Sequence, residues 1–444
     1  MDKAISESEF DALMAAVAPS VPKAIAVACS GGPDSMALTF LMQRWTVPKG
    51  IALTALIVDH GLRSEAAEEA ARVAGWLRER GVEPVVLSFS GPKPSANIQM
   101  QARSLRYRLI ADWCREASVE RVALAHHRDD QAETFMLRLA RGSGVEGLSA
   151  MQPVSSRDGV MLLRPLLSNP KARLAATLAE ANWPYVKDPS NENEDFARVR
   201  MRALMPVLAR EGMSAARLAR TAEIMAGAAA VLDDAMQAAM KDCASLSPHG
   251  YVTVETEALL SLRTDTAQRL LSHLLSRIGG SDYPPRLDRV QRLLQALREG
   301  KFGSGRTAAG CRLMPVKEEP GRNGHAVLIC RETAAISSQR AQSGSQIWDG
   351  RFELQLSGDV SNAVLAPLGV DGWRDVAQLS PDFRRSPPGP APVRRGLPGL
   401  WVQGRLAAAP SLGIVDPEIS APIVDACALV PRLNALAGPF HRRE

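Results

Sequence analysis

The first half of the chain alternates short apolar runs with longer segments of helical periodicity, and this alternation restricts the folds available to it. Four runs have the length and apolar content of buried strands: 24–29, 51–58, 84–89 and 121–125. Three segments between them have helical patterns: 34–45, 65–80 and 98–116. Consecutive strands that are joined by helices run parallel, and helices then cover both faces of the sheet. The sequence therefore predicts an α/β domain built on a parallel sheet.

Changes in composition along the rest of the chain predict two further regions. Residues from about 211 to 300 have a helical pattern rich in alanine and leucine, and residues 334–347 are rich in serine and glutamine, as in a linker. The residues beyond 345 combine prolines and glycines with short strand-like runs. We expect an α/β domain, a mainly helical domain and a small C-terminal α+β domain, with the bounds 1–210, 211–333 and 345–444.

Composition also limits the setting in which the protein works. Hydrophobic residues make up 46% of the 444 residues, so the chain can bury cores and is not disordered. The cysteines form no C-x-x-C pair, which suits reduced thiols and argues against a zinc knuckle. The first ten residues lack the basic and apolar parts of a signal peptide, and no apolar run approaches ~18 residues. We expect a cytoplasmic protein without a membrane partner.

The segment SGGPDS, which follows the first apolar run, has the features of a phosphate-binding loop. Gly31 and Gly32 allow a tight turn and a close approach to a ligand, and Pro33 suits the first turn of a helix. The free N–H groups and the dipole of that helix would face an anion, and Ser30 and Ser35 would add hydroxyl donors. A plain strand–helix turn is the alternative, and the combination of residues favours ATP binding.

Asp34 is the unexpected residue of this loop, because a carboxylate beside phosphates is repelled unless a cation bridges them. Mg²⁺ binds through one or two carboxylates together with substrate phosphates. The sequence therefore predicts that Asp34 acts in catalysis together with Mg²⁺.

A second group of polar residues follows the fourth apolar run. Asp130 and Glu133 are three residues apart at a predicted helix start, so both project from one face. Two carboxylates there could hold an ammonium group or a metal ion, or they could simply cap the helix. Their position beyond the end of a strand favours a functional role. His126 and His127 lack a third ligand at helical spacing, which argues against zinc or iron.

Arginines form the third group of candidates. Arg106 lies on a predicted helix between these segments and could stabilise phosphate charge, because guanidinium binds anions bidentately. A dense basic stripe farther along could contact RNA phosphates, and a solvated helix face is the alternative. Its candidate residues are Arg198, Arg200, Arg202, Arg217 and Arg220.

The SGGPDS loop resembles the PP-loop of N-type ATP pyrophosphatases, which have a Rossmann-like fold and adenylate their substrates. Four further segments, in this order and spacing, resemble the tRNA(Ile)-lysidine synthases. They are DHGLR, HHRDDQAETFMLRLARGSGVEGLSAM, LLRPLL and DPSNENEDFARVRMRALMPVL. The resemblance is dense from about 24 to 208. It is thinner in 265–315, where YPPR and GKFGSGRTAAGCRL are similar to that family's substrate-binding region, and weak beyond 345.

This resemblance implies a reaction and its partners. The family joins free L-lysine to C2 of the wobble cytidine of a tRNA(Ile) with a CAU anticodon, through an adenylated cytidine, and releases AMP and pyrophosphate. It implies that Asp130 and Glu133 bind lysine and that Arg106 stabilises phosphate charge; a homodimer is possible. Val199 stands where the family usually has asparagine, which puts the role of that position in doubt.

Two alternatives differ in their chemistry. A PP-loop tRNA thiolase of the 2-thiocytidine type would need catalytic cysteines or an iron–sulfur cluster, and the absence of a C-x-x-C pair disfavours it. A non-catalytic ATP- or RNA-binding protein would share the loop but release no pyrophosphate.

Overall fold

The protein forms two compact units, which are divided between Ala230 and Val231. The computed structural model describes residues 3–59, 66–89, 98–186, 195–280, 284–316, 325–419, 423–430 and 433. No described helix is long and apolar enough to cross a membrane.

A mostly parallel sheet organises the first unit. Its strands are β1 (Ala24–Ala28), β2 (Ala52–Asp59), β3 (Glu83–Ser88), β4 (Arg121–Ala123), β5 (Val154–Arg157) and β6 (Val160–Leu163). The strand order is β3-β2-β1-β4-β6-β5, and only β5, which forms a hairpin with β6, runs antiparallel. The prediction of a mostly parallel α/β sheet is confirmed, whereas the hairpin was not predicted.

Helices cover both faces of this sheet. Those before the turn into the basic segment are α1 (Glu7–Val17), α2 (Pro33–Thr46), α3 (Ala66–Glu79), α4 (Ile98–Glu116), α5 (Arg128–Leu139), α6 (Val145–Leu148) and α7 (Lys171–Ala181). They are followed by α8 (Ala197–Arg210) and α9 (Ala215–Cys243), and α9 crosses the division between the units.

Alternation along β1 explains why the sheet needs two helical layers. Ile25 and Val27 are buried in one core cluster with α1, α2, α3 and α7. Ala26, between them, is buried in a second cluster with Tyr107 and Ile110 of α4. Successive side chains of a strand point to opposite faces, so a parallel strand buried on both sides reads as a continuous apolar run. This packing leaves the carboxyl ends of β1 and β4 side by side.

The second unit combines helices with antiparallel sheets. Its helices are α10 (Thr256–Ser261), α11 (Thr264–Ile278), α12 (Leu287–Arg298), α13 (Gly369–Leu379), α14 (Pro381–Arg385) and α15 (Ala391–Arg395). The strands of its first sheet, in the order β7-β8-β11-β10-β9, are β7 (Ala244–Leu246), β8 (Val252–Glu255), β9 (Arg306–Ala308), β10 (Cys311–Val316) and β11 (Ala326–Arg331).

Two smaller sheets follow. The order β12-β15-β16-β17-β18 comprises β12 (Gln339–Arg340), β15 (Ala363–Pro367), β16 (Pro398–Val402), β17 (Arg405–Ala409) and β18 (Ile414–Val415). The order β13-β14-β19 comprises β13 (Gly344–Trp348), β14 (Phe352–Ser357) and β19 (Ile423–Leu429). Helices and antiparallel sheets therefore follow the α/β domain, and the five-stranded sheet lies where mainly helices were expected.

Candidate active site

The predicted phosphate loop lies between β1 and α2. Gly31 has a φ of +79°, and a Cβ there would lie 2.5 Å from Val73 Cγ2, so only glycine fits without a shift. Gly32 is the N-cap of α2, and no side chain caps this helix end. Pro33 occupies the first turn, where a missing N–H breaks no hydrogen bond. The N-terminal N–H groups of α2 can therefore face an anion such as phosphate.

The two serines of the loop have different surroundings. Ser35 is buried, and its Oγ donates to the carbonyl of Gly32 at 2.9 Å. The same Oγ accepts from the backbone N–H of Ser30 at 3.2 Å. Ser35 thus closes the turn, while the exposed Ser30 is the serine whose side chain faces outward.

Asp34 lies where the loop meets α5 and α7. Its Oδ2 is 3.6 Å from His127 Nε2 and 3.5 Å from Lys171 Nζ. Burial opposes ionisation of Asp34, but its contact with His127 and the positive charges of His127 and Lys171 outweigh this effect and lower its pKa. Asp34 is therefore held as a carboxylate at the N-terminus of α2, where the helix dipole also favours negative charge.

His127 joins the loop to α5 and caps that helix. Its Nδ1 accepts from the backbone N–H of Asp130 at 3.3 Å, and Asp130 Oδ2 accepts from the His127 N–H at 3.2 Å. Burial opposes protonation of His127, but its contact with Asp34 and the charges of Asp130, Asp34 and Asp129 raise its pKa. The capping pair is thus His127 with Asp130, and Glu133 takes no part in it.

The neighbouring histidine has a separate environment. His126 Nδ1 lies 3.3 Å from Nε of Arg164, which donates to it. Arg164 is buried and also donates to the carbonyl of Gln152 at 2.8 Å and to Ser155 Oγ at 3.1 Å. The two histidines therefore serve different neighbours. Among the described residues, no group of three histidine, cysteine, aspartate or glutamate side chains has the arrangement to hold a metal ion.

Glu133 is buried and bound by two arginines of α8. Its Oε2 accepts from Arg198 Nε at 2.8 Å, and its Oε1 accepts from Arg202 Nε at 2.8 Å. Arg198 Nη2 also donates to Asp130 Oδ1 at 3.1 Å. The hydrogen bond to Glu133 raises the pKa of Arg202. The acidic pair of α5 is thus brought together with two guanidinium groups, and α8 is packed along α5.

The other predicted arginines lie away from these carboxylates. Arg200 donates to the carbonyl of Asp195, Arg217 donates to the carbonyl of Gly212, and Arg220 pairs with Glu223 on the same helix. All three have exposed side chains. The arginine stripe therefore divides into a pair that faces Glu133 and a group that faces outward.

Other predicted segments are described only in part. Arg106 lies on α4 with an exposed side chain, and its role with phosphate stays a prediction. Residues 60–63 of DHGLR, residues 188–194 of the later segment and the side chain of Arg103 lie outside the described residues.

The structure adds three residues to the predicted site. His127, considered only as a metal ligand, contacts Asp34, while Lys171 contacts Asp34 through Nζ and donates its backbone N–H to Asp129 at 2.9 Å. Lys171 is the first residue of α7, which follows β6. Inspection of the residues beyond each parallel strand would have found it, but β6 was not among the predicted strands.

Comparison with known proteins adds an independent line of evidence. The family model for the PP-loop domain matches residues 3–208. The tRNA(Ile)-lysidine synthase of Ruegeria pomeroyi is 37% identical over 396 residues, which cover 89% of this chain and 90% of that protein. The tRNA(Ile)-lysidine synthase of Rhodopseudomonas palustris is 45% identical over 293 residues, which cover 65% of this chain and 84% of that protein.

Among solved structures, the U34-tRNA thiolase NcsA of Methanococcus maripaludis is similar with a TM-score of 0.42 and 18% identity, over 49% of this chain and 78% of that one. This similarity is too low to assign chemistry. The sequence relatives, by contrast, match this chain over most of its length. The chain belongs to the tRNA(Ile)-lysidine synthase family.

Proposed function

We propose that this enzyme activates the wobble cytidine of a CAU-anticodon tRNA(Ile) with ATP and then joins free lysine to C2 of the base. The observation that supports this proposal best is the meeting of the phosphate loop with the acidic start of α5 around Asp34. A nucleotide site and an ammonium site would thereby adjoin, as a reaction in two steps requires.

In the first step, cytidine O2 attacks the α-phosphate of ATP and pyrophosphate leaves. The N–H groups at the start of α2 and the Nζ of Lys171 would offset the charge that develops on the phosphates. Arg106 is proposed to assist from α4. Asp34 is a suitable ligand for Mg²⁺, which binds through few carboxylates and substrate phosphates and would neutralise phosphate charge.

In the second step, the lysine ε-amine attacks C2 of the activated base and AMP leaves. Asp130 and Glu133 are proposed to bind the lysine ammonium before it loses its proton. Both carboxylates are bound here by Arg198, and Glu133 is bound by Arg202 as well. Lysine must therefore share these carboxylates with a guanidinium or displace one, so α8 would respond directly to lysine binding.

The outward-facing arginines are better placed to contact tRNA. Arg200, Arg217 and Arg220 are exposed on α8 and α9, whereas Arg198 and Arg202 are engaged by carboxylates. We keep all five as proposed tRNA contacts, and we expect the first three to act through phosphate charge. A homodimer also remains a proposal, which sedimentation would test.

A thiolase would require a reactive cysteine near the loop. Cys29 directly precedes the loop, but burial raises the pKa of its thiol. A buried thiol of raised pKa is a poor nucleophile at neutral pH. Incorporation of labelled lysine into tRNA, measured with and without ATP, tests the proposal directly. Absence of ATP-dependent incorporation would refute it, and pyrophosphate release would separate a different adenylating enzyme from a non-catalytic binder.

A further inference from the structure

A basic pocket in the second unit takes no part in the reaction described above. It has a volume of about 530 Å³ and lies between α12 and the β9–β10 hairpin. Its lining includes four arginines: Arg289, Arg292, Arg306 and Arg312. The lining contains no aspartate or glutamate from the described part of the chain. Four guanidinium groups around one concave surface create a site of strongly positive potential.

Little of this charge is neutralised by the protein. Arg292 pairs with Asp288 at 2.8 Å, but both side chains are mostly exposed, and such pairs contribute little in water. Arg306 donates to the carbonyl of Lys301 at 3.0 Å, which leaves its charge unbalanced. Arg289 and Arg312 form no ion pair with any carboxylate in the described ranges. An anion can therefore bind these arginines without breaking a strong ion pair.

The fold holds the pocket between regular elements. Arg289 and Arg292 are three residues apart on α12 and so share one face of that helix. Thr307 is the cross-strand partner of Arg312, which places its hydroxyl on the same face as that guanidinium. Gly305, at φ +127°, keeps the preceding loop close to β10, since a Cβ there would lie 2.5 Å from the Leu313 carbonyl oxygen. The positive groups thus have a fixed framework.

We propose that this pocket binds phosphodiester groups of an RNA backbone. Guanidinium groups bind phosphate bidentately, and contacts of this kind position a nucleic acid without reading its sequence. The inference rests on the proposed function for the identity of the RNA, which is the tRNA substrate. A free phosphate compound such as pyrophosphate offers the same chemistry, so the test must separate the two sources.

The test uses the full-length protein with Arg289→Glu and Arg312→Glu combined, and an unmodified tRNA(Ile) transcript as the probe. We expect the Kd for tRNA to rise about tenfold or more at ~0.15 M salt. The slope of log K against log salt should fall by about two, one for each phosphate contact. The KM for ATP and kcat at saturating tRNA should stay unchanged. Replacement of both arginines by lysine should keep most of the affinity.

The matched control reverses two exposed arginines of the first unit, Arg78 and Arg115, and changes the net charge equally. Equal tRNA affinity of the pocket and control variants, with both folded by circular dichroism, would overturn the proposal. Loss of pyrophosphate binding with normal tRNA binding would overturn it in favour of a small phosphate ligand. If the unmodified protein binds tRNA but incorporates no lysine, the proposed reaction fails while the pocket result stands.

Discussion

Asp34 and His127 support each other's charge, and this pairing gives the first prediction. Replacement of Asp34 by asparagine removes a carboxylate that lies 3.6 Å from His127 Nε2 and 3.5 Å from Lys171 Nζ. We expect turnover to fall by at least about a thousandfold, because charge stabilisation around the phosphates is lost. The pKa of His127 should fall as well, since Asp34 helps to raise it. Lysine incorporation and NMR titration of the imidazole measure these two effects.

The same pair predicts how stability depends on pH. The folded-state pKa of His127 lies above its ordinary value of 6.5, so its contribution is complete below that value and is lost as the pH rises through the folded-state pKa. The pKa of Asp34 is lowered, so its contribution is present above about 3.8 and is lost as the pH falls through the folded-state value. Unchanged His127 titration in the asparagine variant, or normal turnover, would contradict the proposed role of Asp34.

Glu133 distinguishes binding of lysine from support of the fold. Glutamine at this position keeps the shape but removes the charge that faces Arg198 and Arg202. We expect the KM for lysine to rise by roughly 10- to 100-fold, as for a lost charged hydrogen bond, while the KM for ATP changes little. Steady-state kinetics with each substrate varied in turn gives both values. Equal changes in the two KM values, or a loss of thermal stability that accounts for the lost activity, would favour a structural role.

Individual site residues were predictable where chemistry follows a strand in sequence. Asp34 follows β1, and Asp130 and Glu133 follow β4, so all three could be proposed without a structure. The inward direction of Arg198 and Arg202 could not, because it depends on packing between α5 and α8, which are more than 60 residues apart in the chain. Positive charge alone does not reveal whether an arginine faces RNA or a buried carboxylate.

At the scale of elements, the two loop glycines have different tolerances. Alanine at Gly31 would adopt a left-handed conformation and place its Cβ 2.5 Å from the buried Val73, so we expect a loss of ~1–3 kcal/mol in the free energy of unfolding. At Gly32 the nearest atom would be Ser30 Oγ at 3.6 Å, which is ordinary contact. Denaturant unfolding of both variants tests this contrast. Equal losses would mean that the loop adapts to either substitution.

Elements were predictable in proportion to how fully they are buried. The predicted helix 98–116 coincides with α4, and the predicted strand 24–29 differs from β1 by one residue. The hairpin of β5 and β6 has four residues in each strand, and β5 is only partly buried. A run that short carries too few alternations to identify it as a strand. The antiparallel sheets of the second unit were missed for the same reason, since several of their strands have two or three residues.

At the scale of the whole molecule, the division between the units decides where the protein can be cut. The helix α9 contributes Leu218 and Ala222 to a cluster with Ala132 and Phe135 of α5. A fragment that ends near Leu208 would expose this apolar surface beside the candidate lysine site. A fragment of residues 1–230 keeps the cluster and coincides with the compact first unit. That fragment therefore separates the roles of the two units more cleanly.

Residues 1–230 contain the proposed ATP and lysine sites, and the second unit contains the basic pocket of α12 and β9–β10. We expect this fragment to bind ATP within about threefold of the full-length Kd but to bind tRNA at least about tenfold more weakly at equal salt, because counterion release by the second unit is lost. Calorimetry and fluorescence anisotropy measure the two affinities. Full-length protein with Arg217 and Arg220 reversed to glutamate isolates the part that α9 contributes. If the fragment bound tRNA as tightly as the whole chain, the tRNA contacts would lie in the first unit, and the second unit would need a different role, such as dimerisation.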